Sequence, residues 1–141
     1  MKVNGVHYRS IWYDCESEKV LIIDQRWLPH DFRIVPLERL GDFAAAIRDM
    51  WVRGAPLIGA TAAYGMAIAM TEDATDEGLR QAYDTLIATR PTAVNLRWAL
   101  DRVRKMLSHK SASERRDEAL KLAHLMAEED CLLYTSDAAD E

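Results

Sequence analysis

The chain has 141 residues, of which 49% are apolar, and this length and composition predict one domain with a real hydrophobic core. Eighteen basic and 23 acidic residues give a net charge of −5, which excludes the broad basic face of a non-specific nucleic-acid binder but not a phosphate ligand in a locally positive pocket. There is no leader pattern, membrane-length apolar run, metal motif or disulfide framework, so we expect a reduced cytoplasmic protein without a membrane partner.

The first 36 residues have the pattern of short strands. Three runs rich in β-branched and aromatic residues, over 9–14, 19–25 and 32–36, are separated by polar turns. Leu28-Pro29 stops the strand pattern after the second run, because proline cannot donate to a sheet ladder. We therefore predict a small antiparallel β-meander over residues 1–36.

From residue 37 the apolar period changes to that of helices, with one face recurring at spacings of three and four residues. A helix of small residues is predicted over 56–71 and a last helix over 113–129, and Thr75 and Thr92 are N-cap candidates. Each helix except the small-residue helix has a predicted buried stripe. In chain order these stripes are Leu40, Phe43, Ala44, Ile47 and Trp51; Leu79, Ala82, Tyr83, Leu86 and Ile87; Leu96, Ala99, Leu100, Val103 and Leu107; and Ala119, Leu122, Ala123 and Met126. The predicted fold class is α+β, a β-meander that leads into a bundle of about five helices over residues 37–130.

A candidate anion site opens the small-residue helix, at Arg53-Gly54-Ala55-Pro56. Proline fits a first helical turn, whose free N–H groups and positive dipole end attract anions. Arg53 adds a guanidinium fork that matches a phosphate, and Gly54 allows a ligand to approach the backbone closely. The alternative is that the small residues only allow this helix to pack tightly against its neighbours.

A second motif repeats this logic at Arg90-Pro91-Thr92-Ala93-Val94-Asn95-Leu96. Arg90 comes immediately before a predicted helix start, so its side chain and the backbone amides of that start are placed to share an anion. The alternative is that Arg90 binds a carbonyl at the end of the preceding helix. Two arginines beside two helix starts favour one shared anion site.

These motifs, with Ile58-Gly59, Ala-Ala-Tyr-Gly at 62–65 and Trp98-Ala99, resemble the methylthioribose-1-phosphate isomerase family. Ile11-Trp12 and the run from Leu21 to Gln25 with Leu28-Pro29 are also similar to that family. The family belongs to a superfamily with ribose-1,5-bisphosphate isomerases and the regulatory subunits of a translation-initiation exchange factor. Either of these remains an alternative for the chain.

The resemblance implies the N-terminal part of an enzyme that interconverts an aldose and a ketose phosphate in methionine salvage. Carried over by position, Arg53, Gly54, Ala55 and Arg90 would bind the sugar phosphate, which is the expected small-molecule partner. The family's catalytic cysteine and acidic proton donor lie in a Rossmann-like second domain, which we expect to be absent here. The resemblance calls for no metal or redox cofactor, and it implies a homodimer for the full-length enzyme.

The remaining chemically suggestive residues favour structural roles. The four histidines have no ligand spacing, and Trp12, Trp27, Trp51 and Trp98 are expected to pack in the core. Residues 131–141 depart from the family pattern, so a non-native or disordered tail is predicted there.

Overall fold

A computed structural model describes the backbone of residues 2–3, 6–7, 11–14, 19–23, 34–49, 51–52, 55–90 and 93–139. Side chains are described over 11–14, 19–23, 34–49, 51–52, 57–90 and 93–127. The predicted Arg53 and Gly54 lie outside the described residues, and the side chain of Ala55 is also outside them.

Among the described residues, five short strands form two antiparallel sheets. Strands β1 (Lys2–Val3) and β2 (Val6–His7) pair with each other. Strands β3 (Ile11–Asp14), β4 (Lys19–Ile23) and β5 (Ile34–Leu37) form a three-stranded meander with β4 in the centre. Ile22 stands opposite Ile11 on one side and Val35 on the other. The predicted meander is confirmed.

In the part of the chain that the structure describes, five helices follow, as predicted. They are α1 (Leu40–Arg48), α2 (Ala55–Glu72), α3 (Asp76–Ile87), α4 (Val94–Ser108) and α5 (Ala112–Ala139). The amphipathic helices bury most of the stripes that the sequence indicates, while Leu40, Tyr83 and Ile87 are only partly buried. Thr75 caps α3 by accepting a hydrogen bond of 3.1 Å from the backbone N–H of Gly78.

Two helix ends differ from the prediction. The N-cap of α4 is Ala93, one residue after the proposed Thr92, and Ala93 makes no side-chain cap. Helix α5 continues to Ala139 instead of ending near residue 129, since the sequence from 130 to 139 contains neither glycine nor proline to stop it.

Helix α2 is the centre of the bundle and packs against all four other helices and β3. Its residues from Leu57 to Met70 are buried on every side except at Ile68, which is half-buried. This explains its uniformly apolar sequence, because a helix surrounded by protein has no solvent face to fill with charges. Small residues allow the neighbours to approach: a Cβ on Gly65 would stand 3.1 Å from the Phe43 Cβ.

The helices α2 to α5 alternate in direction. Gly59 of α2 lies against Ala99 of α4 and Met126 of α5. At the far end, one guanidinium, that of Arg115 in α5, binds the carbonyl of Ala74 after α2 and that of Leu107 in α4. Helix α2 therefore runs parallel to α4 and antiparallel to α5. Because α2 and α4 are parallel, they begin at the same end of the bundle.

Candidate functional site

The candidate site is the end of the bundle where α2 and α4 begin. Ala55 is the first residue of α2, and Val94 is the first residue of α4. The contact between Gly59 and Ala99 comes four residues after Ala55 and five residues after Val94. At the helical rise, these spacings correspond to about 6 Å and about 7.5 Å. Both helices therefore begin at similar distances, measured along their axes, from the contact between Gly59 and Ala99.

Arg90 stands at this end, in the bend between α3 and α4, and it is half-buried. Its backbone carbonyl accepts a hydrogen bond of 3.0 Å from the N–H of Ala93, which turns the chain into α4. Arg90 lies four residues before Val94, the first residue of α4, and its role in binding stays a prediction.

The alternative role for Arg90, binding a carbonyl at the end of α3, is not observed. The carbonyl of Asp84 accepts from the N–H of Ala88, and that of Leu86 accepts from the hydroxyl of Thr89 at 2.5 Å and from its N–H at 3.2 Å. Within the described part of the chain, the Arg90 guanidinium has no hydrogen bond or ion pair. These two carbonyls at the end of α3 therefore have donors other than Arg90.

The electrostatics of this end favour an anion. Two helix N-termini that point the same way place two positive dipole ends side by side, and Arg90 adds a full positive charge. The first turn of α4 contains no acidic residue, and neither does the first turn of α2. The packing interpretation of the small residues also holds, since Gly59 and its neighbours are buried between helices. Tight packing is what brings the two helix starts together.

The side chains with displaced pKa values lie away from this end. A hydrogen bond of 2.6 Å to Asp101, with partial burial, raises the pKa of the Tyr83 phenol. Hydrogen bonds from Thr75 lower the pKa of Asp73, and the ion pair with Glu38 raises the pKa of Lys19. These three groups stabilise helix packing, a helix cap and the sheet, respectively.

Arg115 is a buried charged residue that the sequence pattern did not lead us to predict. Its side chain is 6% exposed and joins the end of α2, the start of α3 and the end of α4 through Ala74, Asp76 and Leu107. A signal was present, because the apolar stripe of α5, extended back one turn from Ala119, reaches position 115. Arg115 lies at the end of the bundle opposite the candidate site and has a structural role.

His124 is also tied into the structure. A hydrogen bond of 2.7 Å joins its Nδ1 to the hydroxyl of the buried Tyr64, and Tyr13 packs edge-on against its ring. This contact connects α5 with α2 and with the sheet. His109 caps the end of α4 and is exposed. The side chains of His7 and His30 lie outside the described residues.

The prediction that Trp98 packs in the core is wrong, since its side chain is 58% exposed. The buried stripe of α4 runs through Leu96 and Ala99, and position 98 lies on the other side of the helix from Leu96. Trp51 and Trp12 are partly buried, and Trp27 lies outside the described residues.

Among the described residues, no group of three His, Cys, Asp or Glu side chains is arranged to hold a metal ion. Within the same residues, none of the helices has both the length and the apolar character needed to cross a membrane.

Comparison with known proteins identifies similar chains. A methylthioribose-1-phosphate isomerase of Cereibacter sphaeroides is 58% identical over 130 residues, which is 92% of this chain and 35% of that protein. The enzyme of the same name from Escherichia coli O45:K1 is 53% identical over 133 residues, 94% of this chain and 36% of its own length. The chain thus spans about a third of the length of these relatives.

Two solved structures share the fold. The crystal structure of 5-methylthioribose 1-phosphate isomerase from Pyrococcus horikoshii OT3 matches with a TM-score of 0.77 and 36% identity, covering 87% of this chain and 36% of that one. The translation initiation factor eIF-2B, subunit delta, from A. fulgidus matches with a TM-score of 0.78 and 36% identity, covering 89% of this chain and 38% of that one. The sequence pattern of the initiation factor 2 subunit family matches residues 51–136, more than half of the chain, and contains both predicted motifs. The chain belongs to the initiation factor 2 subunit family.

Proposed function

We propose that this chain is the substrate-binding part of an isomerase that converts 5-methylthioribose 1-phosphate into 5-methylthioribulose 1-phosphate. The relatives that carry the name of this enzyme support the choice of reaction. The observation that carries the binding role is the shared position of the α2 and α4 starts, with Arg90 beside one of them. The complete activity is proposed for a protein of the length of these relatives.

The ligand group held at this end is the C1 phosphate. A phosphate carries up to two negative charges and accepts several hydrogen bonds, and helix N–H groups and a guanidinium supply donors of matching charge. Arg90 contributes one such donor set from the α4 side. On the α2 side, Arg53, Gly54 and Ala55 are the proposed contacts, since they immediately precede or begin that helix.

The chemistry of the substrate explains why a rigid phosphate site matters. A phosphate ester on C1 locks the anomeric carbon, so the sugar cannot open to a free aldehyde by itself. The reaction must open the ring and move hydrogen between C1 and C2 while the phosphate stays attached. Substrate and product are isomers, and the overall conversion needs no external oxidant. Holding the phosphate fixes C1 and C2 relative to acid and base groups.

Those acid and base groups are expected in the part of the enzyme that follows this chain. The family resemblance assigns the cysteine and the acidic proton donor to a second domain. We therefore expect no isomerase turnover from the isolated 141-residue chain. An assay of the purified chain that detects ketose formation above background contradicts this division of labour.

The binding role is tested in a chimera that joins residues 1–130 of this chain to the remaining two thirds of the Cereibacter sphaeroides relative. Replacing Arg90 with alanine should lower kcat/KM by roughly 10- to 100-fold, because a charge-assisted contact contributes about 1.5–3 kcal/mol. Arg80→Ala is the matched control, since Arg80 is exposed on α3. An active chimera in which Arg90→Ala and Arg80→Ala are both harmless removes Arg90 from the site.

A non-catalytic regulatory subunit is the second candidate, and the match to eIF-2B subunit delta favours it. The chimera separates the two functions. If this chain is a regulatory module, the chimera binds the sugar phosphate without converting it, whereas an isomerase module supports turnover.

A further inference from the structure

The outer face of α4 carries an exposed apolar pair. Val94 is 78% exposed and Trp98 is 58% exposed, and their spacing of four residues places them one turn apart on one side of the helix. The guanidinium of Arg102, one turn further, lies 5.4 Å from the centre of the Trp98 ring. We call Val94 and Trp98 the α4 outer face. Two large apolar side chains exposed one turn apart form a contiguous apolar patch, and packing another protein segment on it removes this surface from water.

The α4 outer face lies at the end of the bundle that holds the candidate site. Val94 is the first residue of α4, and Trp98 comes just one turn later. A segment covering this face would therefore lie beside the two helix starts and beside Arg90.

Helix α5 leads the chain to the same end. Its Met126 lies beside Gly59, near the beginning of α2, and α5 then continues for 13 residues to Ala139. At the helical rise these residues extend about 20 Å, whereas α2 begins only about 6 Å from Gly59. Residue 130, the last one before the predicted tail, already lies about 6 Å beyond Met126. In a relative of which this chain is 35%, the remaining two thirds or so of the polypeptide therefore leave the bundle at the end where α4 begins.

We propose that the α4 outer face is the surface on which the remaining two thirds of the full-length enzyme pack, next to the phosphate site. This inference rests on the proposed function, because it takes the isomerase relatives as the pattern for the missing part. It assigns Val94 and Trp98 to the interface between the two parts.

The size of the face argues for a covalently linked occupant. Two side chains offer roughly 250 Å² of apolar surface, well below the roughly 800 Å² per partner of a stable complex between separate chains. A segment joined through the same polypeptide needs less contact area, since its effective concentration is high.

Hydroxyl-radical footprinting with mass spectrometry tests this proposal without substrate. Oxidation of Trp98 is measured in the isolated chain and in the chimera described above, with Ile34 as the control, because Ile34 is 42% exposed on β5. We expect oxidation of Trp98 to fall at least fivefold in the chimera while that of Ile34 changes less than twofold. Equal oxidation of Trp98 in both proteins overturns the proposal. Protection of Trp98 in the isolated chain that increases with protein concentration also overturns it, since a second copy is then the occupant.

A variant gives an independent measurement. Trp98→Glu should leave the thermal midpoint of the isolated chain nearly unchanged, because the side chain is exposed there. The same substitution should lower the thermal midpoint of the chimera. Trp98→Phe keeps an apolar ring, so the chimera with this variant should retain most of the parent midpoint. Equal midpoint shifts in the two proteins contradict the interface. If the chimera shows no turnover but Trp98 is protected from oxidation, the proposed function is refuted and the interface stands. If the chimera turns over substrate but Trp98 is not protected, the interface is refuted and the proposed function stands.

Discussion

Gly59 of α2 lies directly against the methyl group of Ala99 of α4: a Cβ built on the glycine would stand 3.3 Å from the Ala99 Cβ and 3.6 Å from the Met126 Cε. Both groups at the α2–α4 contact are fixed to helix backbones, so neither can rotate away. This approach sets the separation of two parallel helices close to their N-termini. The candidate anion site therefore depends on a contact between two of the smallest side chains in the bundle.

Replacing Gly59 with valine should force α2 and α4 apart. The added methyl groups enter space that Ala99 and Met126 fill, and overpacking of this kind costs about 1–3 kcal/mol of the free energy of unfolding. Gly41→Ala is the control: a Cβ on Gly41 meets nothing within 4 Å, and alanine favours the helix by up to about 1 kcal/mol. Urea denaturation measures both variants. A Gly59→Val chain as stable as the parent contradicts the close approach.

Removing the Arg115 side chain should destabilise the bundle at its other end. Arg115→Ala leaves the carbonyls of Ala74 and Leu107 without their donor and opens a buried position, at a cost of about 2–3 kcal/mol. Asp76→Asn should cost less than about 1 kcal/mol, because the Asp76 side chain is 92% exposed. Thermal unfolding of the two variants checks this order, and equal losses would show that the ion pair, not the carbonyl contacts, carries the effect.

The N-cap of α3 should respond to Thr75→Ala with a loss of about 1 kcal/mol, since the hydroxyl accepts from the N–H of Gly78. Thr75→Ser keeps the oxygen and should recover most of this stability. Chemical denaturation compares the two variants, and an equal loss in both points to the lost methyl group instead of the cap.

The pKa of Tyr83 gives a prediction for alkaline pH. Its phenol donates to Asp101, so the folded state favours the protonated form and raises the pKa above the ordinary value of 10.0. This stabilising contribution is fully present below pH 10 and is lost as the pH rises through the raised pKa. Asp101→Asn should lower the Tyr83 pKa towards its ordinary value, because both the acceptor charge and its strong hydrogen bond are removed.

The difference in tyrosinate absorbance between each protein and its Tyr83→Phe counterpart isolates this titration. Asp117→Asn, an exposed carboxylate on α5, serves as the control and should leave the midpoint unchanged. A midpoint for Tyr83 that does not move in Asp101→Asn contradicts the hydrogen bond.

The sequence predicted most of the fold because its periods are clear. Short β-branched and aromatic runs separated by polar turns predicted the meander, and apolar residues recurring at spacings of three and four predicted the helices and most of the residues that they bury. The start of α4 was predicted less accurately. Its N-cap, Ala93, has no capping side chain, and the local sequence pattern placed the cap one residue early, at Thr92. Trp98 was misassigned because its size was weighed above its position on the helix.

The direction of the helices was beyond the reach of the sequence. That α2 and α4 begin at one end follows from contacts such as Gly59 with Ala99, which join residues distant in the chain. The binding roles of Arg53, Gly54, Ala55 and Arg90 stay predictions. The foreign origin of residues 131–141 also stays a prediction, since both helix α5 and the family match continue past residue 131.

The most direct test of the account is a crystal structure of the chimera with 5-methylthioribose 1-phosphate bound. We predict that phosphate oxygens lie about 2.7–2.9 Å from the Arg90 guanidinium, the length of a charge-assisted hydrogen bond, and face the first turns of both α2 and α4. A phosphate bound elsewhere, with Arg90 directed into solvent, contradicts the central claim that these two helix starts form one anion site.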